Sequence, residues 1–146
     1  MKKVRNIWMV FTIIFCCTFM VSAADIEDNS DGTVSDYETG LIWQQGEGGQ
    51  KTWESALTYC EGLTLASKTD WRLPNFKELQ SIVDYAKYNP AIDKTYFPGV
   101  VSSSYWSSTT RASLTSFAWH VYFGFGYVSY HNRTNNYYVR CVRGGQ

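Results

Sequence analysis

The chain has 146 residues, of which 45% are hydrophobic, 17% aromatic and 18% charged, and its 13 basic side chains balance 13 acidic ones. That composition excludes a disordered chain, and the length leaves no room for a second core of ordinary size. The neutral total conceals an asymmetry. Three of the basic residues, Lys2, Lys3 and Arg5, lie at the start, so the remainder carries an acidic excess and nucleic acid is not an expected partner. Every Asp and Glu lies at or before Asp93. Beyond it come Lys94, Arg111, Arg133, Arg140 and Arg143 with His120 and His131. Such a one-signed segment attracts polyanions if it stays together at the surface, or pairs internally with the acidic half if folding mixes the two.

Residues 1–24 read as a signal peptide. Lys2, Lys3 and Arg5 form a positive start, Ile7 to Val21 is an uncharged apolar run, and Val21-Ser22-Ala23-Ala24 supplies small residues for cleavage. The run is short of the roughly 20 apolar residues of a membrane span, although a retained anchor is the structural alternative. Phe15 before Cys16 is too large for a lipoprotein signal, so Cys16 and Cys17 leave with the leader. The domain then runs over 25–146, with a secreted, periplasmic or cell-surface location and no membrane span after processing. Two cysteines remain, Cys60 and Cys141. An exported pair oxidises, which predicts one long-range disulfide; the alternative is two separate buried thiols.

The predicted elements follow in order. Asp28 to Asp36 is rich in turn residues, and Gly40-Leu41-Ile42-Trp43 reads as a short strand. Thr52 caps a helix with Glu54 in its first turn, Trp53, Ala56, Leu57 and Cys60 at helical spacing, and Gly62 as its stop. A second helix starts after Pro74 with Asn75 and Glu78 as a capping box. Phe76, Leu79, Ile82 and Val83 form its buried stripe, and it ends before Asn89-Pro90. Tyr105 to Thr109 reads as a strand and Arg111 to Ser116 as a polar loop. In 118–123, Trp119, Val121 and Phe123 alternate with His120 and Tyr122, placing the first three in the core and the other two on the opposite face. Gly124-Phe125-Gly126 turns the chain into Tyr127 to Tyr130, and Tyr137 to Arg143 is the last strand. The fold class is α+β: two helices, then a twisted antiparallel sheet.

Catalytic signatures are missing. There is no Gly-x-Ser-x-Gly elbow, no His-Glu-x-x-His and no phosphate-cradling glycine loop. His120 and His131 are expected near each other across a hairpin, without a third metal ligand in the pattern, and read as partly exposed residues of a β face. Glu27, Asn29, Asp31, Ser35 and Glu38 fall at calcium-hand spacing with Gly32 at the turn, so calcium is a possible ligand; the alternative is a polar hairpin turn. Otherwise no cofactor is expected. The binding candidates are Arg111 and Arg133, expected in loops beside Tyr105, His120, Tyr122, Tyr127 and His131. Guanidinium forks suit sulfate or carboxylate groups, and aromatic rings stack on sugars. Arg72 and Arg140 sit inside hydrophobic motifs and read as structural ion pairs or backbone clamps. Trp43, Trp71, Trp106 and Trp119 read as core.

Several of these motifs recur together in a known family. Asp31-Gly32-Thr33-Val34 with Thr39-Gly40-Leu41-Ile42-Trp43 comes first. Trp53-Glu54-Ser55-Ala56 with Cys60 follows, then Asp70-Trp71-Arg72-Leu73-Pro74-Asn75-Phe76-Lys77-Glu78-Leu79. Tyr105 to Thr109 and Tyr138-Val139-Arg140-Cys141-Val142-Arg143-Gly144 close the pattern. The chain resembles the Lcl C-terminal domain family, named after the terminal domain of a bacterial collagen-like adhesin. More loosely, it is similar to C-type-lectin-like folds, including formylglycine-generating enzymes. The resemblance implies a lectin-like domain at the cell surface or envelope that binds an anionic polysaccharide, and in the adhesin a homotrimer. The adhesin's Gly-X-Y collagen repeat is not present in this chain. Two other readings stay open: an assembly module that packs against another surface protein, and an enzyme on a formylglycine-generating type of scaffold. The latter would need a reactive thiol, which a Cys60–Cys141 bridge removes.

Overall fold

A computed structural model describes residues 25–144; the leader, with Cys16 and Cys17, lies outside the described residues. Strands β1 (Ile26–Asp28), β2 (Thr33–Asp36) and β3 (Leu41–Gln44) form an antiparallel meander. The last strand, β9 (Val142–Gly144), returns to pair with β3, with Trp43 opposite Val142. A second sheet has the order β4-β8-β5-β6-β7. Its members are β4 (Gln50–Lys51), β5 (Ser104–Arg111), β6 (Leu114–Tyr122), β7 (Tyr127–Asn132) and β8 (Tyr137–Tyr138). The β5–β8 pairing is parallel and the others are antiparallel.

Both helices start where their caps dictate. Helix α1 (Trp53–Glu61) is capped by Thr52, whose hydroxyl accepts from the Ser55 amide, and stops at Gly62. Helix α2 (Phe76–Ser81) opens with the complete Asn75/Glu78 capping box. It is shorter than its apolar stripe suggests. The Ser81 hydroxyl donates to the Glu78 carbonyl, and Ile82 and Val83 continue as a turn that still buries Ile82.

Four strands precede α1, so the helices do not come first. The turn-rich segment 28–36 is itself a hairpin, because Val34 alternates into the core against Trp43. The segment 137–143 is two strands in two sheets rather than one. Between them, Val139, Arg140 and Cys141 cross the interior, all completely buried. The Arg140 guanidinium donates to the carbonyls of Gln44 (2.8 Å) and Gln45, which pins the crossover against the end of β3.

Cys60 of α1 is bonded to Cys141 across a sequence separation of 81 residues. The bridge sits in one of two apolar clusters, with Trp53, Ala56, Trp71, Leu73, Trp106 and Val139. The other cluster joins Val34, Trp43, Leu79, Phe97, Tyr105 and Val121 across α2 and the first sheet. Adjacent residues Tyr105 and Trp106 therefore enter different clusters, and the second sheet is covered on both faces. The buried indoles of Trp53, Trp71 and Trp106 each donate to a backbone carbonyl, of Ser107, Leu65 and Lys51 respectively.

Candidate functional site

The β6–β7 ladder decides where the candidate residues point. Trp119 pairs with Tyr130 and His120 with Ser129, so odd residues of β6 and even residues of β7 share a face. On that face a row of half-buried rings crosses the sheet. Phe76 of α2 lies 5.8 Å from Trp119, Trp119 lies 5.1 Å from Tyr130, and Phe117 lies 6.2 Å from Tyr130. Trp119 is thus a half-exposed member of a surface row rather than a core residue, because only the inner end of this face is covered by α2.

Arg111 ends this row, its guanidinium carbon 4.0 Å above the Tyr130 ring. The residue belongs to β5, not to a loop: Arg111 pairs with Leu114, and only Ala112 and Ser113 turn the chain. Register irregularities on either side of Thr110 re-aim the strand end that carries it. Among the described residues, Arg72, Arg133, Arg140 and Arg143 each have a carboxylate within 4 Å, and Arg111 has none. Its fork of N–H donors is half-exposed beside aromatic faces.

Arg133 is committed elsewhere. It lies 4.0 Å over the Trp53 ring, contacts the Glu54 carboxylate at 2.6 Å and donates to the Thr115 carbonyl at 3.2 Å. These contacts strap the start of α1 to the end of the β6–β7 ladder, so Arg133 acts as a structural tie. Tyr105 is completely buried; its hydroxyl binds the Glu47 carboxylate, and burial raises its pKa far above the usual range. No ligand reaches it from solvent.

The two histidines do meet, on the opposite face. His120 Nε2 lies 2.9 Å from His131 Nδ1, which also lies 2.8 Å from the Tyr137 hydroxyl. His120 is buried while His131 is exposed. Burial, reinforced by the neighbouring His131, pushes the His120 pKa down to about 4, so the ring is neutral near pH 7 and supplies no charge for an anion. Its Nδ1 has no hydrogen-bond partner among the described residues, so the tautomer that carries the proton on Nε2 is the one that leaves no buried N–H unpaired. Tyr122 and Tyr127 share this face at the hairpin tip, their rings 5.0 Å apart and next to the exposed Phe125.

The calcium-hand spacing belongs to the β1–β2 hairpin. Asn29 Nδ2 donates to the hydroxyls of Thr33 (2.8 Å) and Ser35 (3.0 Å), Asp31 accepts from the Thr33 amide (3.1 Å), and Glu27 accepts from the Tyr37 hydroxyl. Glu38 lies beyond β2 and is exposed. A strand follows where a calcium hand requires a helix, and the Asn29, Asp31, Thr33 and Ser35 side chains, although they share one face of the hairpin, are hydrogen-bonded to one another and to the backbone. No group of three or more His, Cys, Asp or Glu that could hold a metal ion occurs among the described residues.

A cleft of about 590 Å³ beside α2 is lined by Asp25, Asp36, Glu38, Asp84 and Asp93. Lys87 bridges Asp84 (3.0 Å) and Asp93 (2.6 Å), but the lining remains acidic and repels anions. Among the described residues, Arg111 is the sequence-predicted arginine that stays half-exposed beside the rings of the aromatic row and without a carboxylate partner. Phe76, Phe117 and Tyr130 of that row were not among the sequence candidates, although Phe117 and Trp119 stand two apart on one strand.

No helix among the described residues is long and apolar enough to cross a membrane. The sequence profile of the Lcl C-terminal domain matches residues 32–143, and no curated protein matches the chain.

Proposed function

The chain belongs to the Lcl C-terminal domain family, and from that premise we propose that it is a noncovalent binding module of the cell surface or envelope, lectin-like in layout, whose ligand is an anionic glycan or a similar surface polymer. The family is adhesin-related, which fits recognition rather than catalysis. The observation that carries the reading is Arg111, a guanidinium held 4.0 Å over Tyr130 with no carboxylate partner among the described residues. A sulfate or carboxylate on the polymer accepts a paired hydrogen bond from the fork, and a sugar ring lies against Trp119 or Phe117. The disulfide of Cys60 with Cys141 leaves neither thiol free for an oxidative enzyme.

Heparin binding by the purified protein across a salt series, with and without calcium, tests this reading. Binding that weakens with salt and with Arg111→Ala supports it; no binding in any buffer removes it. A second reading, an assembly module contacting another surface protein, draws on the exposed aromatics at one end of the molecule. Tyr88 is 79%, Phe125 66% and Tyr127 52% exposed. A stable co-purifying protein supports that alternative.

A further inference from the structure

Strand β7 is an edge of the second sheet, and its outer side has no strand partner among the described residues. Two backbone bonds define which groups point outward. The Phe123 amide donates to the Ser103 carbonyl at 2.9 Å, and the Arg133 amide donates to the Ser116 carbonyl at 3.0 Å. By alternation, residues 127, 129 and 131 turn their backbone groups toward β6, while Val128 and Tyr130 present theirs at the open edge; the Asn132 carbonyl already accepts from the Asn135 amide at 3.0 Å.

Open edges are normally guarded by charge, proline, a bulge or brevity. Strand β1 has three residues, including Glu27 and Asp28; β4 has two residues; and β9 has three, with Val142 bridged to Arg72. Strand β7 uses none of these devices. Its six residues, Tyr-Val-Ser-Tyr-His-Asn, contain no lysine, arginine, carboxylate or proline, and β6–β7 pair without interruption.

We propose that the β7 edge pairs antiparallel with β7 of a second copy about a two-fold axis at Ser129, joining two five-stranded sheets into one. Antiparallel partners share a face, so the axis must pass through a residue rather than between two. At Ser129, the outward groups of Val128 meet those of Tyr130 of the second copy, and the same pair repeats on the other side of the axis. Tyr127, 52% exposed, then stands opposite His131 of the second copy, and Ser129 opposite its own equivalent. Nothing charged on the strand opposes itself across the axis, which is the condition a self-pairing edge has to meet. A foreign peptide could satisfy the same backbone groups, but only a second copy supplies the Ser129–Ser129 contact. The pairing keeps both Arg111–Tyr130 sets on one continuous face, a consequence that bears on glycan binding only through the reading above.

Analytical ultracentrifugation of the oxidised protein over a concentration series tests the proposal. A monomer–dimer equilibrium is expected. Ser129→Lys places two like charges on the axis and should weaken dimerisation about tenfold or more, with circular dichroism and melting reporting that the monomer is still folded. Ser129→Cys supplies a complementary readout. The position is non-hydrogen-bonded, about 4.5 Å between Cα atoms, so mild oxidation should yield a covalent dimer through that residue. A monomer at every concentration, a trimer, or a dimer indifferent to Ser129→Lys that fails to cross-link through Cys at 129 would overturn the proposal. Because these measurements need no ligand, a failed heparin experiment leaves their outcome unaffected.

Discussion

The guanidinium carbon of Arg111, at the end of strand β5, stands 4.0 Å above the ring of Tyr130, and no carboxylate among the described residues competes for it. Tyr130 is itself held edge-on by Trp119 at 5.1 Å, so the arginine rests on a platform that packing has already positioned. An arginine restrained in this way loses less side-chain entropy on binding than a free surface arginine.

Arg111→Ala should therefore reduce affinity for a sulfated polysaccharide with little effect on stability. The lost cation–π contact at a half-exposed site is worth about 0.5–1 kcal/mol, a few degrees of melting temperature at most. Arg111→Lys keeps the charge without the fork and should recover only part of the affinity. Surface plasmon resonance on immobilised heparin, alongside a melting curve, measures both. Equal affinity of wild type and Arg111→Ala would remove Arg111 from the site.

Cys141→Ser should destabilise the fold severely. Both cysteines are completely buried, and the bridge closes a loop of 81 residues by sequence separation. In the chain-entropy model such a bridge contributes on the order of 4 kcal/mol, a large share of the net stability of one domain. Urea denaturation with and without reductant measures it; an unchanged midpoint contradicts the assignment.

Arg140 provides a separate test of the interior. Its side chain is completely buried, bound to the carbonyls of Gln44 and Gln45 and 3.6 Å from Glu47. Arg140→Ala strands those carbonyls and leaves the half-buried Glu47 carboxylate without its counter-charge. The expected cost is about 3–5 kcal/mol, read as a loss of folded yield and of urea midpoint. Lysine should not rescue it, since one ammonium does not span the same acceptors. A fully stable Arg140→Ala protein contradicts the clamp.

Acid should weaken the fold through His120 before carboxylates protonate in bulk. Its pKa falls from 6.5 to about 4 on folding, so between those values the unfolded chain binds a proton that the folded chain does not. Stability then rises with pH across that window: the contribution is complete above pH 6.5 and is lost as pH falls toward 4, amounting to no more than about 3 kcal/mol. Asp70, held below its ordinary range by its hydrogen bond to Arg143, acts in the lower range, below pH 3.8. His120→Gln should flatten the pH dependence of the urea midpoint between 4 and 6.5. An unaltered slope would show that another group carries it.

Local signals in the chain were read correctly where the physics is local. Thr52 and Asn75 each cap a helix because their side chains reach amides three residues away, and that geometry is written in consecutive residues. The pairing of Cys60 with Cys141 followed from counting cysteines once the leader was set aside. Arg72 and Arg140 were placed as structural groups, and Arg72 indeed makes a paired contact with Glu78 at 2.8 Å.

The candidate site was only half legible. Alternation correctly put Trp119 and His120 on opposite faces, but it could not say how far each face is covered: His120 is buried, while the face of Trp119 is covered only at its inner end and leaves that residue half-exposed. Arg111 and Arg133 looked alike as late, unpaired cations. Glu54, from the acidic half, reaches Arg133 across the fold and claims it, while no carboxylate among the described residues reaches Arg111. Tyr105 was misplaced for a related reason: Glu47 lies 58 residues earlier and comes to meet its hydroxyl only inside the folded core.

By itself the sequence determined the caps, the cysteine pair, the α+β class and the family pattern, all of which depend on near neighbours or on residue identity. Which arginine stays free, which strand edge stays open and how the last segment divides between two sheets were decided by the tertiary structure. Each depends on contacts between residues far apart in the chain, and the energy of such a contact exists only once folding has brought both partners to the same place.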